Sequence, residues 1–386
     1  MPRRILIFSL AYYPQFVGGA EIAIKEITDR IPDIEFDMVT ARLAPGLSSF
    51  ERIGRVDIYR VGIGSSLDKF LFPLLGTLKV FNLMRARRYD LFWAMMVTFS
   101  SGAAYIVNIL RTSVGRKKVP IVLTLQEGDS EDHIRSRWLG MIGLSWSLAL
   151  SRTDIVTAIS GYLADQAEKF GYKREVAIVP NGVDITRFSR PAGFDPTSVR
   201  AELGFVETDI VLVTASRLVL KNAVGDIVES LVHLPETVKL LVIGKGELEG
   251  ELKRRAAHLK VSDRVVFLGY VPHEALPKYL HASDIFIRPS LSEGFGNSFV
   301  EAMAAGLPVI ATEVGGIVDF LRDKETGLFC EVGKPEDIAR KVEIYLHDRA
   351  LRAEIVENAK KMVAERYGWD RIARDMREKA FAILKP

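Results

Sequence analysis

"RPSLSEGFGNSFVEAMAAGLPVIATEVGG", residues 288–316, decides how this chain is read. The run leading into it, "DIFIRPS" (284–290), reads as a buried strand, which places "LSEGFGN" in the loop beyond the strand's carboxyl end. A helix is expected to start near Asn297 or Ser298 and to stop at Gly306, a residue suited to a left-handed cap. "LPVIAT" (307–312) then reads as the next strand. Strand, loop, helix and strand in this order make one unit of a parallel sheet covered by helices.

The loop holds more than a connection requires. Gly294 and Gly296 remove side chains where backbone must approach a ligand, and the helix start offers unpaired N–H groups with partial positive charge. Together they suit a phosphate. Glu301, in the first helical turn, can accept paired hydroxyls such as those of a ribose. Glu293 lies before the glycines and can reach a second polyol or stabilise positive charge. A nucleotide joined to a sugar satisfies every part. A structural alternative stands beside this: Ser298-x-x-Glu301 also fits a capping box. That would account for Glu301 but not for Glu293, Gly294 or Gly296.

Outward from this stretch the same rhythm repeats. In the second half "IVLVTAS" (210–216), "KLLVIG" (239–244), "RVVFLG" (264–269) and "GLFC" (327–330) read as further strands. In the first half "ILIFSL" (5–10), "FDMVTA" (36–41), "DLFWAMM" (90–96), "PIVLTL" (120–125), "DIVTAIS" (154–160) and "VAIVPN" (176–181) do the same. Near-continuous apolarity is what a parallel sheet buried on both faces requires. "NGVDITRFSRPAGFDPTS" (181–198), rich in Gly, Pro, Ser and Asp, separates the halves. With 386 residues exceeding the usual reach of one core, the expectation is α/β architecture with two doubly wound, Rossmann-like domains facing across a cleft. Their bounds are set at 1–185 and 199–368 with a linker at 186–198, and a terminal helix at 369–386 returns to the first domain. In such sheets ligands bind beyond the carboxyl ends of the strands.

Composition narrows the partners. A net charge of +3 gives little reason to expect nucleic acid, and a single cysteine, Cys330, excludes an internal disulfide framework and fits a reducing cytosol. The start, "MPRRILIFSLAYYPQ", reads as a first strand rather than a signal peptide. "LFWAMMVTFSSGAAYIVNIL" (91–110) is long enough to span a bilayer, but "TFSSG" interrupts it. Strand, turn and helix capped by Ser100 or Ser101 is the preferred reading.

The quoted stretch resembles the signature of family 4 glycosyltransferases, retaining enzymes of the GT-B fold. "YPQFVGGAEIAIKEI" is similar to that family's N-terminal glycine loop and "AIVPNGVDITRF" to its segment entering the second domain. "ASRLVLKNAVGDIVESL", "LVIGKGELEGEL" and "VVFLGYVPHEALPKYLHASDIFIRPS" match in the family's order, and the likeness is weakest over residues 40–120. The resemblance implies that Glu293 contacts the donor sugar and Glu301 the nucleotide ribose. It implies that backbone amides from Gly294, Phe295, Gly296, Asn297 and Ser298 hold phosphate and sugar hydroxyls. Arg217 and Lys221 would neutralise the leaving diphosphate, Gly18 and Gly19 would approach the phosphates, and the backbone at Val271 would meet the base. Fixed cations beside a departing diphosphate lower the barrier directly.

One position departs from the family. After "PIVLTL" many relatives carry a histidine beside the sugar, where this chain has Gln126 and then Glu127. Gln126 can hydrogen-bond sugar hydroxyls but cannot move a proton; Glu127 could, if it pointed into the cleft. Asp129, Glu131 and Asp132 continue an acidic run that also suits a solvated loop, and His133 is too far along to replace the missing residue. No cofactor or metal is expected: the six histidines are scattered, and no Asp-x-Asp pair occurs.

"SSLDKFLFPLLGTLKVFNLMRARRYD" (65–90) combines aromatic and aliphatic residues with Lys69, Lys79, Arg85, Arg87 and Arg88. It fits either a helix lying on anionic lipid or a buried helix with cationic ends. Arg111 and residues 116–118 would extend such a surface if adjacent. The expected enzyme is cytoplasmic, touches the inner membrane face and transfers a sugar from a nucleotide-diphosphate donor to a glycan or lipid-linked hydroxyl. An isomerase of the nucleotide-sugar 2-epimerase type and a sugar-nucleotide-binding protein without turnover are the alternatives.

Overall fold

The structure, a computed structural model, describes residues 2–128 and 141–384. Asp129, Glu131, Asp132 and His133, read above as an acidic loop, lie outside the described residues. The chain divides into two compact units, Met1–Asn181 with Trp369–Pro386, and Gly182–Gly368.

The first unit is built on strands β1 (Arg3–Phe8), β2 (Ile34–Ala41), β3 (Phe50–Ile53), β4 (Val56–Val61), β5 (Leu91–Met95), β6 (Ile121–Leu125), β7 (Ile155–Ala158) and β8 (Ala177–Ile178). Their order in the sheet is β3-β4-β2-β1-β5-β6-β7-β8, and only the β3–β4 pair is antiparallel. The apolar runs become β1, β2 and β5 to β8; every position of β5 and β6 is buried, as a sheet covered on both faces demands, whereas β8 is a two-residue edge strand with Ile178 exposed. The hairpin β3–β4 was not foreseen. Its outer strand alternates between exposed and half-buried residues and carries no apolar run.

One face of this sheet, including Ile5, Ile7, Met38 and Trp93, packs on helix α1 (Gly19–Asp29) and on the helix Trp369–Lys379. The terminal segment is anchored by Phe381, whose ring meets Trp93 edge-on at 5.2 Å. Helices α2 (Asp68–Leu83) and α3 (Ser100–Ser113) cover strands of the same sheet and touch each other closely. A Cβ on Gly76 would lie 3.4 Å from that of Ala103, and one on Gly102 would lie 3.6 Å from Pro73.

Residues 91–110 thus divide into β5, a turn and α3, and no helix among the described residues is long and apolar enough to cross a membrane. The expected serine cap is absent. Phe99, at φ 49°, precedes the helix, while the hydroxyls of Ser100 and Ser101 donate back to the carbonyls of Met95 and Val97.

The second unit carries β9 (Ile210–Ala215), β10 (Val238–Ile243), β11 (Val265–Gly269), β12 (Ile285–Arg288), β13 (Val309–Thr312) and β14 (Leu328–Cys330). All are parallel, in the order β11-β10-β9-β12-β13-β14. The stretch expected to be a linker belongs to this unit and folds into short helices at Ile185–Phe188 and Pro196–Glu202. Asp184 and Asp195 cap them, Phe188 and Val199 are buried, and residues 189–195 between them form neither helix nor strand. Cys330 lies in the core, where burial pushes its thiol up to about 12, so it is not a nucleophile at neutral pH.

Candidate functional site

In the second sheet β9 is flanked by β10 on one side and β12 on the other. The chain first winds outward from β9 through β10 to β11, then returns to β12 and winds the other way. The gap between the carboxyl ends of β9 and β12 is therefore the topological switch point, where a doubly wound sheet opens for a ligand.

The loop after β9 carries Arg217 and Lys221, and the loop after β12 carries residues 289–296. The N–H of Leu291 donates to the Lys221 carbonyl at 2.7 Å, so the two loops touch at the backbone. Asn222, which is buried, donates to the Arg217 carbonyl at 2.7 Å and fixes the bend. Arg217 is exposed and has no acidic partner among the described residues. Below these loops the hydroxyl oxygens of Ser216 and Ser290 are buried without a hydrogen-bond partner among the described residues. Unsatisfied groups of this kind at a strand end are suited to a ligand or ordered water.

The helix after the loop runs Asn297–Ala304, and Gly306 adopts φ 83°, as its sequence position suggested. No capping box forms: Gly296 is the cap, Ser298 accepts from Arg288 and Glu301 bonds elsewhere. Gly296 is required at φ 92°, because a Cβ there would stand 2.6 Å from the Phe299 ring and 2.7 Å from Arg288 Nη2. Gly315, from the loop after β13, is equally constrained: at φ 55° its Cβ would lie 2.0 Å from the Glu293 carbonyl oxygen. The neighbouring Gly316 N–H donates to that same oxygen at 2.9 Å. The side chain of Phe295 is buried and packs against Phe320 and Tyr367, so only its backbone is left to meet a ligand.

Sequence reasoning missed two residues that hold the acids. Arg288, at the end of β12, donates from Nη1 to Ser298 Oγ at 2.8 Å and from Nη2 to Glu293 Oε2 at 2.5 Å. Its guanidinium also lies over the Phe299 ring, 4.3 Å from the centroid. Burial pulls this arginine down from its ordinary range, Glu293 and Glu301 push it back up, and the positive charge of Arg217 adds to the fall. The second missed residue is His273, whose Nε2 lies 2.8 Å from Glu301 Oε1. Burial depresses this imidazole, but the hydrogen bond and charge of Glu301 outweigh it and the net shift is upward. Because His273 follows Val271 by two positions, this bond brings the segment expected at the base to the acid expected at the ribose.

In the first unit the candidates also lie at strand ends. Gly18 and Gly19 follow β1 and start α1, where the Glu21 carboxylate accepts the Gly18 N–H at 2.9 Å. Gln126 and Glu127 follow β6. The Gln126 and Asn181 amides pair reciprocally at 3.1 Å, an arrangement that leaves Gln126 one further N–H by stoichiometry. The two carboxylate oxygens of Glu127 accept the N–H groups of Gln126 and Val97, tying the end of β6 to the turn after β5.

Two parallel α/β sheets, each with its candidate residues beyond the carboxyl strand ends, are the architecture of GT-B glycosyltransferases, and comparison with known proteins agrees. Residues 17–187 match Glycosyltransferase Family 4 and residues 196–362 match Glycosyl transferases group 1. The chain belongs to this family of glycosyltransferases, hexosyltransferase-type enzymes that take their sugar from a nucleotide sugar. It is 25% identical over 388 residues to an uncharacterized glycosyltransferase of Methanocaldococcus jannaschii, covering 96% of each chain. It is 28% identical to the N-acetyl-alpha-D-glucosaminyl L-malate synthase of Bacillus anthracis over 61% of each chain. Among solved structures, Anabaena HepE in complex with UDP and glucose superposes with a TM-score of 0.79 at 22% identity, covering 98% of this chain and 100% of HepE.

Proposed function

We propose that this glycosyltransferase moves a sugar from a nucleoside-diphosphate sugar to a hydroxyl of a glycan or lipid-linked acceptor, with retention at the anomeric carbon. The observation that carries the reading is the backbone contact joining the Arg217–Lys221 loop to the Glu293 loop at the switch point of the second sheet. A diphosphate held there meets two cations and the first-turn N–H groups of the helix Asn297–Ala304. Glu301, steadied by His273, takes the ribose hydroxyls, and the backbone at Val271 takes the base. Glu293, held by Arg288, takes hydroxyls of the donor sugar.

As the bond between the anomeric carbon and the diphosphate oxygen breaks, negative charge grows on the leaving group, and Arg217 and Lys221 stabilise it where it develops. The acceptor oxygen bonds to the anomeric carbon on the same face, and its proton passes to the departing phosphate oxygen. This scheme makes no demand on a metal, because the cations already supply the charge. In the first unit, Gln126 is assigned to sugar hydroxyls, Gly18 and Gly19 to close backbone approach, and Glu127 to holding the Gln126 turn rather than to proton transfer. We place the enzyme in the cytoplasm, working at the inner face of a membrane.

The test begins with thermal-shift screening of UDP-, GDP- and ADP-sugars, the UDP-sugars first because HepE was crystallised with UDP and UDP-glucose. With the stabilising donor in hand, Glu301→Ala should raise the donor Kd, whereas Arg217→Ala should mainly lower turnover, by about a hundredfold or more. EDTA should leave the rate unchanged. Small and equal effects of the two substitutions would defeat the assignment. Product bearing a changed C2 configuration, with no acceptor-dependent nucleotide release, would favour the isomerase instead.

A further inference from the structure

We propose that the outer face of α2 and α3, continued by the neighbouring helix Met141–Ser151, is a docking surface for an anionic lipid bilayer. It deepens the reading of a lipid-linked acceptor, but its test does not depend on that reading. The inner side of α2 is ordinary core, with Phe72, Gly76, Thr77 and Val80 buried. Its outer side is not ordinary. Leu67, Leu71, Leu74 and Leu78, spaced by four, three and four residues, are 61%, 44%, 61% and 59% exposed. That spacing aligns them along a single stripe. On α3, Ile109 and Leu110 are exposed, and on the helix Met141–Ser151 so are Leu144 and Leu148. Exposed apolar residues gathered in this way on neighbouring helices, with a four-leucine stripe among them, mark an interaction site.

The helices themselves carry charge of nearly one sign. The three helices contain a single acid, Asp68, which is buried and accepts the N–H groups of Gly64 and Ser65. Pro73 of α2 faces Gly102 of α3, and the sulfur of Met84, just past α2, lies 3.7 Å from Arg111 Nη1 near the end of α3. The two helices therefore run side by side in the same direction, and the basic segments that follow them emerge at the same end. Two of those cations serve the fold: Arg87 pairs with buried Asp37, and Lys118 pairs with Asp154. Arg85, Arg116 and Lys117 are exposed with no acidic partner among the described residues, whereas Arg88, though its side chain is 92% exposed, lies 3.8 Å from Asp90. A leucine stripe ending in unpaired cations complements a bilayer, whose acyl boundary takes the apolar side chains while its anionic headgroups take the cations.

Flotation of the full chain, without nucleotide, tests this against vesicles of phosphatidylcholine alone and of phosphatidylcholine with phosphatidylglycerol. The wild type should float only with the anionic vesicles. Arg116→Ser/Lys117→Ser should lower partitioning about thirtyfold, since each cation contributes about 1 kcal/mol at an anionic surface. Leu74→Ser/Leu78→Ser should lower it about a hundredfold, from the loss of two buried leucines. Both pairs are exposed, so neither should alter the melting temperature or the donor-induced thermal shift. That readout keeps a failure here distinct from a failure of donor binding. Absence of flotation, equal flotation with neutral vesicles, or unchanged flotation of both variants overturns the proposal. A wild-type dimer that Leu74→Ser/Leu78→Ser dissociates, without flotation, overturns it in favour of a second copy of the chain.

Discussion

Arg288→Met tests whether the donor loop is held by a buried charge. The arginine side chain is 7% exposed and its partner Glu293 is 15% exposed, so the substitution strands a carboxylate where water reaches it poorly. Breaking a buried pair from one side costs about 3–5 kcal/mol. The loss includes the cation–π contact with Phe299 and the hydrogen bond to Ser298. Two effects offset it. The guanidinium no longer pays the desolvation that depresses it, and methionine fills the space with apolar atoms. We expect a net loss of about 3 kcal/mol, at the low end of the range for a buried pair. Adding Glu293→Gln removes the stranded charge, so the double variant should recover about 2 kcal/mol of that loss. Urea unfolding followed by far-UV circular dichroism measures both, and amide exchange over residues 285–304 should rise in the single variant. A single-variant loss under about 1 kcal/mol, or a double variant less stable than the single, would refute the reasoning.

His273 should titrate above the ordinary 6.5 of a free imidazole, because Glu301 outweighs burial. A folded value raised above the unfolded one means that its stabilisation is complete below the unfolded value and fades as pH rises through the folded one. Wild type should therefore lose stability relative to His273→Gln over that window, and an NMR titration placing the ring at or below 6.5 would contradict it. Gly315→Ala should destabilise by roughly 2 kcal/mol or more, from the positive φ together with the approach to the Glu293 carbonyl. It should also weaken donor binding, and thermal melts with and without nucleotide would show an unchanged donor shift if the loop contact were incidental.

What the sequence made legible was whatever a short window can encode. The buried strands appeared as apolar runs because both faces of each are covered, and the strand-end rule then picked out the loops at 217–221 and 289–296 before any contact was known. β3 escaped because a four-residue edge strand needs no apolar run, and the two short helices flanking 189–195 escaped because aspartates that cap helices resemble loop composition. Arg288 did leave a signal: a charge at the end of "IFIR" must find a partner when its strand is buried. His273 left none. Its partner is 28 residues away, and only the folding of the β11 loop towards the helix after β12 brings them together.

The first unit has its own switch point, between β1 and β5, and the backbone there is strained in a way composition could not announce. Met96 and Phe99, neither of them glycine, adopt φ 67° and 49° in the turn after β5. Each such residue costs about 1–3 kcal/mol and persists only if its surroundings over-determine it. They do: Ser100 and Ser101 hydroxyls grip the carbonyls of Met95 and Val97, and Glu127 grips the Val97 N–H. A connection serving only to reach α3 could relax by substituting glycine at either position. A turn held strained by three side chains, one of them on the Gln126 loop, is rigid backbone of the kind that would serve the role proposed for Gln126.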